Sequence, residues 1–251
     1  QIMKSSLAPY RDELFISTKA GHDMWPGPYG NWGSRKHLMA SLDQSLKRMN
    51  LEYVDVFYSH RYDPETPLEE TLQTLVDIVH QGKALYVGLS KYPLEAYLFA
   101  SRYLKERDVP CLLYQGRYNM LVREPESQGI LKAVKENGAG FVAFSPLAQG
   151  LLSNRYLNGI PEDSRIARGG FLKKEALTPE VLRKIQALNE RARMRGQSLA
   201  EMALAWLLRD ASVTSVLVGA SSVEQLGDSL KALDNLSFEE EELRSIEEIL
   251  A

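Results

Sequence analysis

The sequence predicts an α/β fold built on parallel strands, and three observations predict it. Strand-like and helix-like runs alternate along 251 residues, the pattern that yields a parallel sheet joined by right-handed crossovers. Residues 53–60, YVDVFYSH, form an apolar, β-branched and aromatic run suited to a strand buried on both faces, and the run ends in an imidazole. A hydrophobic content of 44% over this length is enough for one large core, so a single domain over residues 1–251 is expected.

Six strands are expected, at 14–18, 53–59, 84–89, 111–115, 140–145 and 214–219. Between the first two, Ser34 caps a helix whose Leu38, Leu42, Leu46 and Met49 recur every three or four residues and lay one apolar stripe on the sheet. The next helix spans 67–79, with Pro67 in its first turn and Gly82 beyond its end. A third follows Pro93, and a fourth covers 127–136, closed by Asn137 and Gly138. Residues 146–176 lack periodicity and are rich in Gly, Pro, Asn and Ser; a loop of that length in a compact domain is usually functional. Helices at 179–195 and 198–209 are separated by Gly196, and helices at 222–233 and 238–250 close the chain. Six βα units are too few to close a barrel, which needs eight strands. The chain also begins at Gln1 without Met, so we expect two strands to precede it.

Composition narrows the function classes. The 30 basic and 33 acidic residues leave a net charge of -3, which argues against a nucleic-acid or anionic-membrane surface. The run 239–242 reads as the start of a surface helix. Cys111, the only cysteine, lies in an apolar run and is expected to be buried in a reducing compartment. No apolar stretch approaches the roughly 18 residues of a membrane span, and no signal peptide is visible, so a cytoplasmic protein is expected. His22, His37, His60 and His80 are too scattered to form a metal-binding signature.

Lys19 and His60 each close a consecutive strand-like run, and ligands of α/β sheets and barrels bind at such C-terminal strand ends. Taken singly, each has a plain structural reading, a solvated loop lysine and a satisfied strand-end histidine. Taken together they form a candidate reaction centre.

Seven motifs in order carry a resemblance: STKAG at 17–21, DMWPGPYG at 23–30, SLKRMNLEYVDVFYSHR at 45–61, GKALYVGLSKY at 82–92, SPLAQGLL at 145–152, YLNGIPEDSR at 156–165 and VLVGASSVEQL at 216–226. On them the chain resembles the aldo-keto reductases, within which it is most similar to the bacterial group reducing glyceraldehyde 3-phosphate and methylglyoxal and to the potassium-channel β subunits. The resemblance implies a (β/α)8 TIM barrel with its first two strands missing from this chain, binding NADPH without a Rossmann domain. It further implies direct hydride transfer to a small aldehyde or ketone, with a lysine ammonium lowering the pKa of a proton-donating Tyr. Lys19 matches that lysine, and His60 matches the histidine that orients the carbonyl. The family's Asp and Tyr are implied to lie ahead of Gln1; Asp23 and Tyr29–Gly30 follow the wrong strand and do not take those roles.

For the cofactor, the resemblance implies that Ser90, Lys91 and Gln115 bind the nicotinamide amide and that Phe144 stacks on its ring. Ser145, Pro146, Leu147, Gln149 and Gly150 correspond to the pyrophosphate loop, and Arg155 and Arg165 to phosphate contacts. Gly219 and Ser221 open a helix N-terminus suited to a 2′-phosphate, while Gln225, Asp228 and Ser229 fall where adenine is held. Ser222 stands where relatives carry an arginine, which weakens the preference for NADP over NAD. Trp25, Pro26 and Trp32 are expected to wall the substrate pocket, and Arg61 is the nearest cation for a phosphorylated triose. The resemblance leaves room for a homo-oligomer. Two other readings stay open, a cofactor-holding regulatory subunit with little turnover and a Schiff-base lyase using Lys19 as nucleophile.

Overall fold

A computed structural model describes residues 2–162, 164, 166, 167, 169 and 172–251. In chain order its elements are β1 (Ser17–Ala20), α1 (Arg35–Met49), β2 (Val54–Ser59), α2 (Leu68–His80), β3 (Ala84–Ser90), α3 (Leu94–Lys105), β4 (Cys111–Arg117), α4 (Glu124–Ser127), α5 (Ile130–Glu136), β5 (Gly140–Phe144), α6 (Pro179–Met194), α7 (Leu199–Leu208), β6 (Ser215–Val216), α8 (Val223–Leu230) and α9 (Glu240–Leu250). Contacts group them into two compact units, residues 1–116 with 128–141 and residues 117–127 with 142–251. Among the described residues no helix is long and apolar enough to cross a membrane.

In the first unit β1, β2, β3 and β4 lie side by side, and every pair is parallel. All six positions of β2 are buried, as a strand covered on both faces requires. Its one carboxylate, Asp55, is satisfied there, accepting from Arg11 at 3.0 Å and from the Ile16 N–H at 2.7 Å. Tyr58 is registered opposite Gly88 of β3, which leaves space for the phenol ring. The Ser34 side chain caps α1 as expected, accepting from the His37 N–H, and Leu38, Leu42 and Leu46 are buried beneath that helix. Cys111 is buried, which pushes its thiol up to about 12.

Three expectations for this unit need correction. The first strand starts at Ser17 rather than Leu14, because a 3₁₀ turn over Ala8–Glu13 delivers the chain late and the Ile16 N–H is taken by the Asp55 carboxylate instead of a strand partner. Lys19 therefore lies inside β1, paired with Tyr58, and not just past its end. The helix expected over 127–136 is broken by Gly129 at φ 76, a left-handed conformation that interrupts helical propagation.

In the second unit β5 pairs in parallel with β6 through Val142–Ser215 and Ala143–Val216. The strand expected over 214–219 is two residues long; one further bond, from Leu217 N–H to Ala143 C=O, extends it before both Leu217 and Val218 turn outward. Helix α7 carries the complete capping box that Ser198 and Glu201 spell in the sequence, and its Met202, Leu204 and Trp206 are fully buried or nearly so. Arg195 holds α9 by donating to both oxygens of Glu242 at 2.8 Å. The Glu239–Glu242 run does open that last helix, through a capping box of its own. Helix α8 stops at Leu230 and passes into a 3₁₀ turn over Lys231–Asp234, shorter than the expected 222–233. Among the described residues the aperiodic 146–176 segment contains three 3₁₀ turns, Ala148–Gly150, Asn154–Tyr156 and Lys174–Ala176, with Leu151, Leu152 and Tyr156 buried.

Candidate functional site

The first unit gathers the expected reaction residues at the C-terminal ends of β1, β2 and β3. Parallel pairing of β1 with β2 brings Lys19 and His60 to the same end, and the His60 N–H donates to Ala20 C=O at 2.9 Å. The Lys19 ammonium donates to Gln115 Oε1 at 2.6 Å and lies 5.9 Å from the centre of the Tyr58 ring. Burial lowers the Lys19 pKa, and the Lys91 charge lowers it further. The same forces act more strongly on His60: burial first, then His22, Lys19, Lys91 and Arg61, bring it down to about 4. His60 is thus a neutral imidazole at neutral pH, with one ring N–H to donate and one nitrogen to accept. Burial drives the Tyr58 phenol in the opposite direction, above its ordinary value, so it serves as an apolar floor rather than as an acid.

Ser90 ends β3, almost fully buried, and among the described residues its hydroxyl has no hydrogen-bond partner. An orphaned buried hydroxyl is uncommon, and this one lies at a strand end, one residue before Lys91. Lys91 follows at φ 55, its backbone N–H donating to Gln115 C=O, a strained conformation of the kind that clusters at ligand sites.

Arg61, the expected cation for a phosphorylated substrate, is held by contacts of its own. Its Nε donates to Gly21 C=O and its Nη2 to Asn31 Oδ1, each at 2.8 Å, and the guanidinium stacks 3.6 Å from the Trp32 ring centre. It is the clamp that holds the glycine-rich 23–33 loop. That loop is further pinned by His37 Nδ1 against Tyr29 C=O and by Gly33 N–H to Asp63. Trp25 and Pro26 border a shallow hollow in the loop, while Trp32 is given over to stacking on Arg61. His22 was missed: its ring stands edge-on to His60, 4.3 Å between centres and 87° between planes. The signal available was its place three residues after Lys19, across Gly21.

The second unit contains a groove of about 670 Å³. Of the expected cofactor residues it is lined by Ser145, Pro146, Leu147, Gln149, Gly150, Arg155, Gly219, Gln225, Asp228 and Ser229. Phe144 and Ser221 are not on its wall, and Arg165 lies outside the described residues. Ser221 instead donates from N–H and hydroxyl to Gln225 Oε1, and Asp228 pairs with Lys231 at 2.7 Å. Ser145, Ala148 and Gln149 all have positive φ, so the loop after β5 is folded back tightly. The Ala148, Gly150 and Leu152 N–H groups close turns inside that loop, so those donors are already spent. Sequence reasoning missed Ser153, Asn154, Tyr156, Ser198 and Glu201 on the wall; Ser198 was visible only as a helix start. Tyr156, fully buried, has a hydroxyl without a hydrogen-bond partner among the described residues. No group of three or more His, Cys, Asp or Glu among the described residues is placed to hold a metal ion.

The depressed His60 pKa carries a stability consequence. The folded value of about 4 lies below the ordinary 6.5, so between these limits the unfolded chain binds more protons than the folded one. Stability contributed by neutral His60 is complete above pH 6.5 and is lost as pH falls towards 4; His22 and His37 are lowered too and act in the same direction. Thermal melts across this window are expected to show a falling midpoint, with a shallower slope in His60→Phe. An identical slope in the variant would contradict the assignment.

A model of the aldo/keto reductase family matches residues 1–251. L-glyceraldehyde 3-phosphate reductase from Escherichia coli O157:H7 is 55% identical over 256 residues, covering all of this chain and 74% of that protein. Its namesake from Escherichia coli strain K12 is 54% identical with the same coverage. A probable voltage-gated potassium channel subunit beta from Arabidopsis thaliana is 36% identical over 230 residues, covering 89% of this chain and 69% of that protein. The chain belongs to the aldo/keto reductase family and is an oxidoreductase of that family.

Proposed function

We propose that the protein reduces small aldehydes of the glyceraldehyde 3-phosphate and methylglyoxal class with NADPH, in one barrel domain. The observation that carries this reading is the pairing, at neighbouring strand ends, of a half-buried ammonium with a neutral imidazole. Similarity to proteins named L-glyceraldehyde 3-phosphate reductase supports the substrate class.

The residues fit a nicotinamide dinucleotide. In the first unit, the orphaned Ser90 hydroxyl is suited to a carboxamide, with Lys91 and Gln115 beside it. In the second, the groove's Ser145, Leu147, Gln149, Gly150 and Arg155 are assigned to the phosphates, and Gly219, Gln225, Asp228 and Ser229 to the adenosine end. Phe144 and Ser221 keep the roles their positions in the family imply. NADPH, when bound, supplies a hydride. In this chain, His60 donates its ring N–H to the substrate oxygen and so fixes the carbonyl's orientation. The Lys19 ammonium, held on Gln115, stabilises negative charge as it grows on that oxygen, and the proton that completes the alcohol comes from the tyrosine that the family resemblance implies. Low local polarity around both groups strengthens these interactions relative to water.

The test is NADPH oxidation with L-glyceraldehyde 3-phosphate and with methylglyoxal, alongside direct titration of NADPH binding by fluorescence. Saturable binding with aldehyde-dependent oxidation is expected. Binding without any turnover, or a borohydride-trapped adduct on Lys19 in the absence of NADPH, would overturn the proposal.

A further inference from the structure

We propose that His22 is a positioning residue for His60, its imidazole seating the His60 ring edge to face at the end of β2. The inference rests on the reductase reading for its consequence in turnover, but its geometry stands alone. The ring centres are 4.3 Å apart with planes at 87°, at the close limit of aromatic pairs. His22 is itself exposed, so the geometry depends on the chain that carries it, and this stretch is fastened.

The fastening is specific to the residues on either side. The His60 N–H donates to Ala20 C=O at 2.9 Å, and Arg61 Nε donates to Gly21 C=O at 2.8 Å. The ends of β1 and β2 are therefore joined two residues beyond the last paired strand position. Gly21 takes φ 142, where a side chain would be strained, and a Cβ there would meet His60 Cβ at 3.2 Å. The glycine lets the chain cross against His60 and return His22 over the ring.

Charge explains why two imidazoles share so small a space. The groups acting on the pair are Lys19 from β1, Asp23 from the loop after it, Arg61 after β2 and Lys91 after β3. Of these only Asp23 favours protonated His22, whereas burial, Arg61 and Lys91 oppose it. Both rings stay neutral near pH 7, and neutral rings pack edge to face without charge repulsion. Protonating His60 sets it against Lys19, Lys91, Arg61 and its neighbouring ring, and protonating His22 sets it against Arg61 and Lys91.

The experiment is a ring-NMR titration of the four histidines in the wild type, His22→Ala and His22→Phe, read without substrate or cofactor, together with kcat and KM for an aldehyde. In His22→Ala the His60 midpoint is expected to move up towards the ordinary value and its ring signals to broaden. Its kcat is expected to fall on the order of tenfold with KM little changed, as for a misoriented rather than absent group. His22→Phe keeps the ring contact without the charge, so the His60 midpoint also rises while ring order and most of kcat return. Unchanged His60 titration and line widths in His22→Ala would overturn the proposal, as would a His22→Phe variant whose His60 ring is as disordered as in His22→Ala. If the wild type reduced no aldehyde, the reductase reading would fail, while the NMR comparison would still decide the role of His22.

Discussion

Lys19→Met is expected to lower carbonyl reduction by about 10²- to 10⁴-fold, the range over which a positioned proton-transfer system contributes, while leaving the fold intact. Methionine keeps an unbranched stem of similar length against the Tyr58 ring but removes the charge. The ammonium is partly buried and repelled by Lys91, so its loss does not weaken folding; it releases a charge that burial disfavours. The cost falls on Gln115, whose Oε1 loses the 2.6 Å bond from Lys19. Melting midpoint and NADPH affinity should therefore stay close to wild type, with the loss confined to kcat. Lys19→Arg keeps a cation but spreads it over a planar fork that does not fit the same bond, so it should recover only part of the rate. Turnover near the wild-type value in Lys19→Met would remove Lys19 from the chemistry.

The contrast between Lys19 and its surroundings shows what a sequence makes legible. Parallel neighbouring strands end on the same side, so an apolar run ending in His60 beside another ending near Lys19 was enough to join those two residues. Strand β2 and helices α1 and α7 were readable because their signals are local: an unbroken buried run, the Ser34 cap with leucines at helical spacing, and the break at Gly196 that sets α7 off from α6. The start of β1 was not readable, since Leu14 to Ile16 are as apolar as a strand and only the distant Asp55 carboxylate removes the Ile16 N–H from strand pairing. The Lys19 to Gln115 bond joins residues 96 positions apart. The contacts of Arg61 were not readable, because a cation's partners, here a backbone carbonyl, an asparagine and an indole, are tertiary facts.

Gly88→Ala is expected to destabilise the protein by about 3 kcal/mol, at the upper end of the usual cost of overpacking a core, although the same change at an unhindered strand position would be stabilising. The added methyl would fall inside the contact distance of two carbons of the Tyr58 ring and 3.0 Å from Leu113 C=O. Tyr58 is 2% exposed, so its ring has no solvent to move into, and the carbonyl belongs to the adjacent strand β4. The strain must pass either into the β2–β3 pairing or through the ring towards Lys19, which stands above it. Urea unfolding should show a lower midpoint at an unchanged slope, with reduced turnover appearing in the same variant. Trimming the ring relieves the clash, so Tyr58→Val combined with Gly88→Ala should be more stable than the sum of the single changes predicts, with a coupling of about 1 kcal/mol or more. A Gly88→Ala variant as stable as the parent, or strictly additive changes, would mean that the glycine is not what makes room for Tyr58.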